Sequence, residues 1–191
     1  MVTAIPLYMA PIIFLLLHTG NWEIAGPKIG NLFDNRGIHI YQEIENYFQL
    51  KIANSIRAPF ADHLIKPDAS SVRKIYRKLI SGHFLIIAAD ECINGKLNAP
   101  SFGRITSTPR NILYALRFAK LTNAVLLPIY TTRTQGAHFT VNVLPSIEFD
   151  FKQFNEADLQ AAQMKIDDIM DNIIRQNVDQ WYYAKANDLG D

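Results

Sequence analysis

Apolar positions along this chain fall into blocks with two different spacings. Ile12-Ile-Phe-Leu-Leu-Leu17 is an unbroken aliphatic run bounded by Pro11. Such a run suits a strand buried on both faces of a parallel sheet. Phe84-Leu-Ile-Ile-Ala-Ala89 repeats the pattern and ends at the acidic pair Asp90-Glu91, and Ile38–Tyr41 is a shorter strand. Ala124–Thr132 and His138–Leu144 predict two more, joined through Thr134-Gln-Gly136. The blocks between them follow helical spacing. One helix is expected from about Asn46 to Ser55, with Arg57 following it before the Pro59 break. A second begins at Ser70 or Ser71, sets Val72, Ile75, Tyr76, Leu79 and Ile80 on one side, and stops at Gly82, where a left-handed residue is wanted. Thr108-Pro109 reads as the N-cap and first position of a third, running to about Thr122. Asn155 caps a long fourth helix whose apolar stripe extends from Leu159 to Trp181. The segment after Glu91, rich in Asn, Gly and Pro, reads as a loop leading to Phe102-Gly-Arg104.

Strands alternating with helices predict an α/β fold with a mostly parallel central sheet flanked by helices. With 191 residues and no repeat or long linker, the expectation is a single domain over residues 1–191. In such sheets, sites form beyond the carboxyl ends of the strands. His18, Asp90 and Arg133 are expected at or just past such ends.

Composition narrows the function classes. Nineteen Lys+Arg against eighteen Asp+Glu leave a net charge of +1, unlike the basic excess of a nucleic-acid binder. A single cysteine, Cys92, excludes an internal disulfide or a multi-cysteine zinc site. Met1 to Leu17 carries no charge. A signal peptide would want a preceding Lys or Arg, and a membrane span would want about 20 apolar residues without Pro6 and Pro11. A turn followed by a buried strand fits the segment better.

His18-Thr-Gly-Asn-Trp-Glu23 carries the chemistry. An imidazole after a strand is more often structural than catalytic. Here Gly20 permits a tight turn, and if the chain then enters a helix, the Glu23 carboxylate can return towards the ring. A carboxylate on one ring nitrogen fixes the tautomer and leaves the other nitrogen to accept a proton. On spacing alone, that reading and the structural one stand level. Zinc is disfavoured, because the acid is not four residues on and no second histidine is near. A serine hydrolase would need Gly-x-Ser-x-Gly, which is absent.

The same segment resembles the His-x4-Asp/Glu motif of glycerolipid-type acyltransferases, and its Gly-Asn-Trp-Glu spelling is similar to the bacterial lipid A biosynthesis (lauroyl/myristoyl) acyltransferases. The resemblance continues in order. It runs through Arg73–Gly82, which resembles the family's basic helix ending in Lys-x-Gly; Phe84–Asp90; Pro100-Ser-Phe-Gly103; Ala124–Pro128 with Arg133; and Gln180-Trp-Tyr-Tyr183. It implies a glycerolipid-acyltransferase-like fold and transfer of a fatty acyl chain from acyl carrier protein to a hydroxyl of a phosphorylated glucosamine lipid. It implies His18 as general base, Glu23 as the group that orients it, and Arg57 on an oxyanion or phosphate. Arg104, Arg133 and Asp90 are candidate substrate contacts, although surface charge and structural support are the ordinary explanations for them. No metal or cofactor is implied. The expected location is the cytoplasmic face of the inner membrane, on the membrane surface. Relative to the family pattern, Gln42 replaces a usual Arg, Asp90-Glu91 replaces Asp-Gln, and Tyr183-Ala-Lys-Ala replaces a basic tail. The family's N-terminal anchor region is expected to be missing. The alternative expectation is therefore a catalytically inactive truncated homologue, or a membrane-associated partner protein with the same fold.

Overall fold

The computed structural model describes residues 10–40, 47–57, 63–65, 70–93, 95–106, 109–149 and 155–185. Pro6, Tyr41, Gln42, Asn46, Pro59 and Thr108, named above, lie outside them, as does the chain after Lys185.

The fold is mixed α/β. Strands β1 (Ile12–Leu16), β2 (Gly37–Ile40), β3 (His63–Ile65), β4 (Phe84–Ala88), β7 (Val125–Gln135) and β8 (His138–Val143) form one sheet in the order β3-β2-β4-β1-β7-β8. All neighbours are parallel except β7 and β8, an antiparallel hairpin at one edge. Helices α1 (Ala25–Gly30), α2 (Tyr47–Arg57), α3 (Ser71–Ile80), α4 (Arg110–Thr122) and α5 (Glu156–Gln176) connect and flank the strands.

β1 lies at the centre, and its residues alternate between two cores. Ile13, Leu15 and Leu17 pack with Leu85 and Ile87 of β4, against Ile75 and Leu79 of α3, Leu116 of α4, and Ile166 and Met170 of α5. Ile12 and Phe14 face the other way, towards Phe84, Ile86, Leu127 and Ile129, with Ala25 and Ile29 of α1 covering them. A strand with a core on each side has no solvent face, so its sequence is apolar throughout. Burying each such aliphatic side chain is worth about 1.5–3 kcal/mol. That stabilisation holds β1 rigidly where it delivers His18.

The structure also departs from the sequence expectations. Glu91–Ile93 (β5) and Lys96–Ala99 (β6) form a small antiparallel hairpin where a loop was expected, turning at Gly95 with φ +78°. β3, three residues long, was not anticipated. β7 extends to Gln135, so Arg133 sits within the β7–β8 hairpin and not beyond a strand end. α5 stops at Gln176; two short 3-10 turns follow, Val178–Gln180 and Tyr182–Lys185. Trp181 lies between them in extended backbone and bridges to Thr19, so it is not part of the helical stripe. Asn155 caps α5 as expected, its side chain accepting from the Asp158 N–H while Asp158 accepts from the Asn155 N–H.

Candidate active site

The site follows from strand register. Leu16 of β1 pairs with Ala88 of β4, and Ala89 N–H donates to Leu16 C=O at 2.7 Å. Two residues further along each parallel strand are His18 and Asp90. The imidazole Nδ1 lies 2.7 Å from Asp90 Oδ1, and the His18 backbone N–H donates to Asp90 Oδ2 at 3.1 Å. Asp90 is 1% exposed, while 20% of the His18 side chain reaches solvent. A buried carboxylate therefore holds the ring by Nδ1.

The turn after His18 is fixed against Thr131, within β7. The Thr19 hydroxyl donates to Thr131 C=O at 2.8 Å and accepts from the Thr131 N–H at 3.2 Å, while the Thr131 hydroxyl donates back to Thr19 C=O. Gly20 then turns with φ +55°, and a Cβ there would stand 2.8 Å from Thr131 C=O. Glycine meets both demands, of conformation and of space.

The C-terminal aromatic segment closes the site. Tyr182 N–H donates to His18 C=O at 2.8 Å, and Gly20 N–H donates to Gln180 C=O at 2.9 Å. The rings of Trp22 and Tyr183 stand edge-on to the imidazole, at centroid distances of 5.1 and 5.4 Å, with Tyr182 at 6.3 Å. The Trp181 indole N–H donates to Asp90 Oδ2 at 2.9 Å. Burial pushes the Tyr183 phenol well above its ordinary value, with Asp90 adding to the shift, so it stays protonated.

Asp90, and not Glu23, is the carboxylate on the His18 ring. Beyond Asn21 the chain makes a 3-10 turn, Trp22–Ile24, before α1. Glu23 on that turn meets the end of α2, where Arg57 Nε donates to Oε2 at 2.9 Å and Arg57 Nη2 donates to Oε1. This two-point fork orients both groups. Asp90, a candidate for substrate contact or structural support, is on the ring. Electrostatics tie all four side chains together. Burial lowers the His18 pKa, but attraction and hydrogen bonding from Asp90, with help from Glu23, outweigh burial and the repulsion of Arg57, so the net shift is upward from 6.5. The Glu23 bond raises the Arg57 pKa further, keeping the guanidinium charged.

The remaining candidates lie elsewhere. Arg104 Nε donates to Ser101 C=O at 2.9 Å, within its own loop. Arg133 is exposed; it donates to Gly136 C=O at 3.1 Å and covers the Phe139 ring at 4.8 Å. Glu91 is buried in the β5–β6 hairpin, where it accepts from Asn98 at 2.7 Å and from the Arg110 N–H at the start of α4 at 3.3 Å. A carboxylate belongs at that helix end. Among the described residues no group of three His, Cys, Asp or Glu side chains could hold a metal ion, and no helix is long and apolar enough to cross a membrane.

A parallel sheet whose two central strands end in a carboxylate-anchored histidine has the arrangement that proton abstraction from a hydroxyl requires. The chain belongs to the bacterial lipid A biosynthesis acyltransferase family, whose profile matches residues 7–185. The activity that family membership implies is acyl transfer in lipid A biosynthesis, from an acyl donor to a lipid acceptor. No curated protein matches the chain.

Proposed function

We propose that this chain transfers a fatty acyl group from acyl carrier protein to a hydroxyl of a phosphorylated lipid A precursor at the cytoplasmic face of the inner membrane. The observation that carries this reading is the 2.7 Å contact between His18 Nδ1 and Asp90 Oδ1 at the carboxyl edge of the sheet. His18 Nε2 takes the proton of the acceptor hydroxyl, and the oxygen attacks the thioester carbonyl. The developing imidazolium is stabilised by Asp90. The tetrahedral intermediate collapses, the C–S bond breaks, and the imidazolium returns its proton to the departing thiolate. Arg57, kept charged and oriented by Glu23, is the donor for the oxyanion or for an acceptor phosphate.

The distribution of charge supports anionic partners although net charge does not. α3 carries Arg73, Lys74, Arg77 and Lys78, α4 carries Arg110, Arg117 and Lys120, and neither contains an acid. These neighbouring helices form a cationic flank suited to an acidic carrier protein. α5, which packs against α4, holds Glu156, Asp158, Asp167, Asp168 and Asp171 and offsets that charge in the total. On α2, which ends at Arg57, Tyr47, Phe48 and Ile52 are exposed apolar side chains that suit contact with lipid.

Incubating the chain with acyl carrier protein thioesters and a lipid A precursor in mixed micelles tests this. The expected product has the mass of the acceptor plus one acyl chain. Absence of product with every acyl length offered would favour the non-catalytic alternative.

A further inference from the structure

We propose that Trp181 is a positioning residue that acts on the His18 base through Asp90, its indole N–H holding the carboxylate that holds the imidazole. The inference rests on the reading of His18 as base and extends it to a third group.

Asp90 Oδ1 faces the imidazole, and Oδ2 receives two N–H groups, from the His18 backbone and from Trp181 Nε1. The backbone donor comes from the residue being positioned. Trp181 supplies an anchor from a separate part of the chain, 91 residues away. Its own placement is well determined. Thr19 bridges to its backbone, Phe102 packs edge-on against its ring at 5.7 Å, and Tyr183 does so at 6.0 Å. Phe102 in turn is held by its loop, where the Ser101 N–H and hydroxyl donate to Asp167 of α5 at 2.9 and 2.6 Å. A Phe or Leu could fill the same apolar space. The indole N–H is what a charged, 1% exposed oxygen needs.

Donation also tunes the base. A carboxylate sharing its charge with an indole N–H pulls less strongly on the imidazolium, so the ring releases its proton more easily for the next turnover. The groups facing His18 are Asp90 from β4, Glu23 from the turn after β1, Arg57 from α2, and the phenols of Tyr182 and Tyr183. With Trp181 Nε1 removed and Asp90 still in place, Asp90 attracts the proton more strongly and the His18 pKa rises. If Trp181 only filled space, an isosteric ring without the N–H would fill it equally and leave the His18 pKa unchanged. The two roles therefore differ in whether that pKa moves.

The test is NMR titration of the His18 ring in the full chain, assigned with His18→Gln, for wild type, Trp181→Phe, and a protein carrying benzothienylalanine at 181. The last keeps the bicyclic shape and replaces N–H by sulfur, so it reports even if Trp181→Phe fails to fold. The expected result is an upward shift in the benzothienyl protein with kcat reduced about tenfold, the size of effect that follows loss of a hydrogen bond to a charged group. A fall in the His18 pKa, or no shift with kcat unchanged, overturns the proposal. The titration needs no acyl transfer, so it is independent of whether His18→Gln abolishes turnover, which tests His18 as base.

Discussion

Asp90→Asn separates the roles of the two carboxylates near the histidine. Asn has almost the shape of Asp, so the pocket is preserved while its charge and one acceptor are lost. Oδ2 of Asp90 faces two N–H donors, the His18 backbone and Trp181 Nε1. In the variant, the amide oxygen must take that position, which turns the amide NH2 towards His18 Nδ1. Nδ1 then has to accept, and the ring proton moves to Nε2. The nitrogen that should collect the hydroxyl proton is thereby blocked. In serine proteases the same amide change behind a catalytic histidine costs about 10⁴ in kcat through the wrong tautomer. A range of about 10²–10⁴ is expected here, or roughly 3–5 kcal/mol of transition-state stabilisation. Glu23→Gln should act differently, weakening the Arg57 fork while Asp90 still fixes the tautomer. The assay is steady-state acyl transfer by both variants, with the His18 pKa followed by NMR. In Asp90→Asn that pKa should fall below its wild-type value, since burial is then opposed by Glu23 alone. Transfer by Asp90→Asn within threefold of wild type, or an unchanged His18 pKa, would refute the reasoning.

Further outcomes follow from the same geometry. Because the His18 pKa is raised above 6.5, the acidic limb of the kcat/KM–pH profile should lie above that value; by linkage, its contribution to stability is full below 6.5 and lost as pH rises through the folded pKa. His39 behaves oppositely: burial, then repulsion from Arg57, depress it to about 4. Stability should thus fall as pH drops from 6.5 towards 4, by roughly 3 kcal/mol in all, and urea unfolding of His39→Leu should lack that component. Gly20→Ala places a methyl 2.8 Å from Thr131 C=O at positive φ, so thermal unfolding should show a loss of about 1–3 kcal/mol, and activity should fall with it. Reversing charge on α3 with Arg73→Glu and Arg77→Glu should raise KM for the acyl carrier protein thioester with little change in kcat; an unchanged KM at low salt would remove α3 from donor docking.

What the sequence disclosed and what it hid divide along local and long-range lines. The aliphatic run at Ile12–Leu17 located the central strand, and its end located His18, because both are properties of neighbouring residues. α3, α4 and the Asn155 cap were legible for the same reason. The partner of the imidazole was not legible. Asp90 is 72 residues from His18, and the register of β1 against β4 is written in packing on both sheet faces, which no local spacing reports. Glu23, five residues from His18, looked like the nearer partner, but a single 3-10 turn sent it to Arg57. The short β5–β6 hairpin was masked by its polar turn around Gly95. Trp181 falls at the end of the apolar spacing of the last helix, which hides its polar atom; its N–H acquires meaning once the C-terminal turn is seen against Thr19.

The most direct measurement is a single-turnover experiment with labelled acyl carrier protein thioester and lipid acceptor, comparing wild type with His18→Ala. Labelled lipid should form with the wild type and fall by at least about a hundredfold in the variant. Equal rates of labelling from both proteins would contradict the account, because the acyl group would then be moving without the imidazole that Asp90 holds.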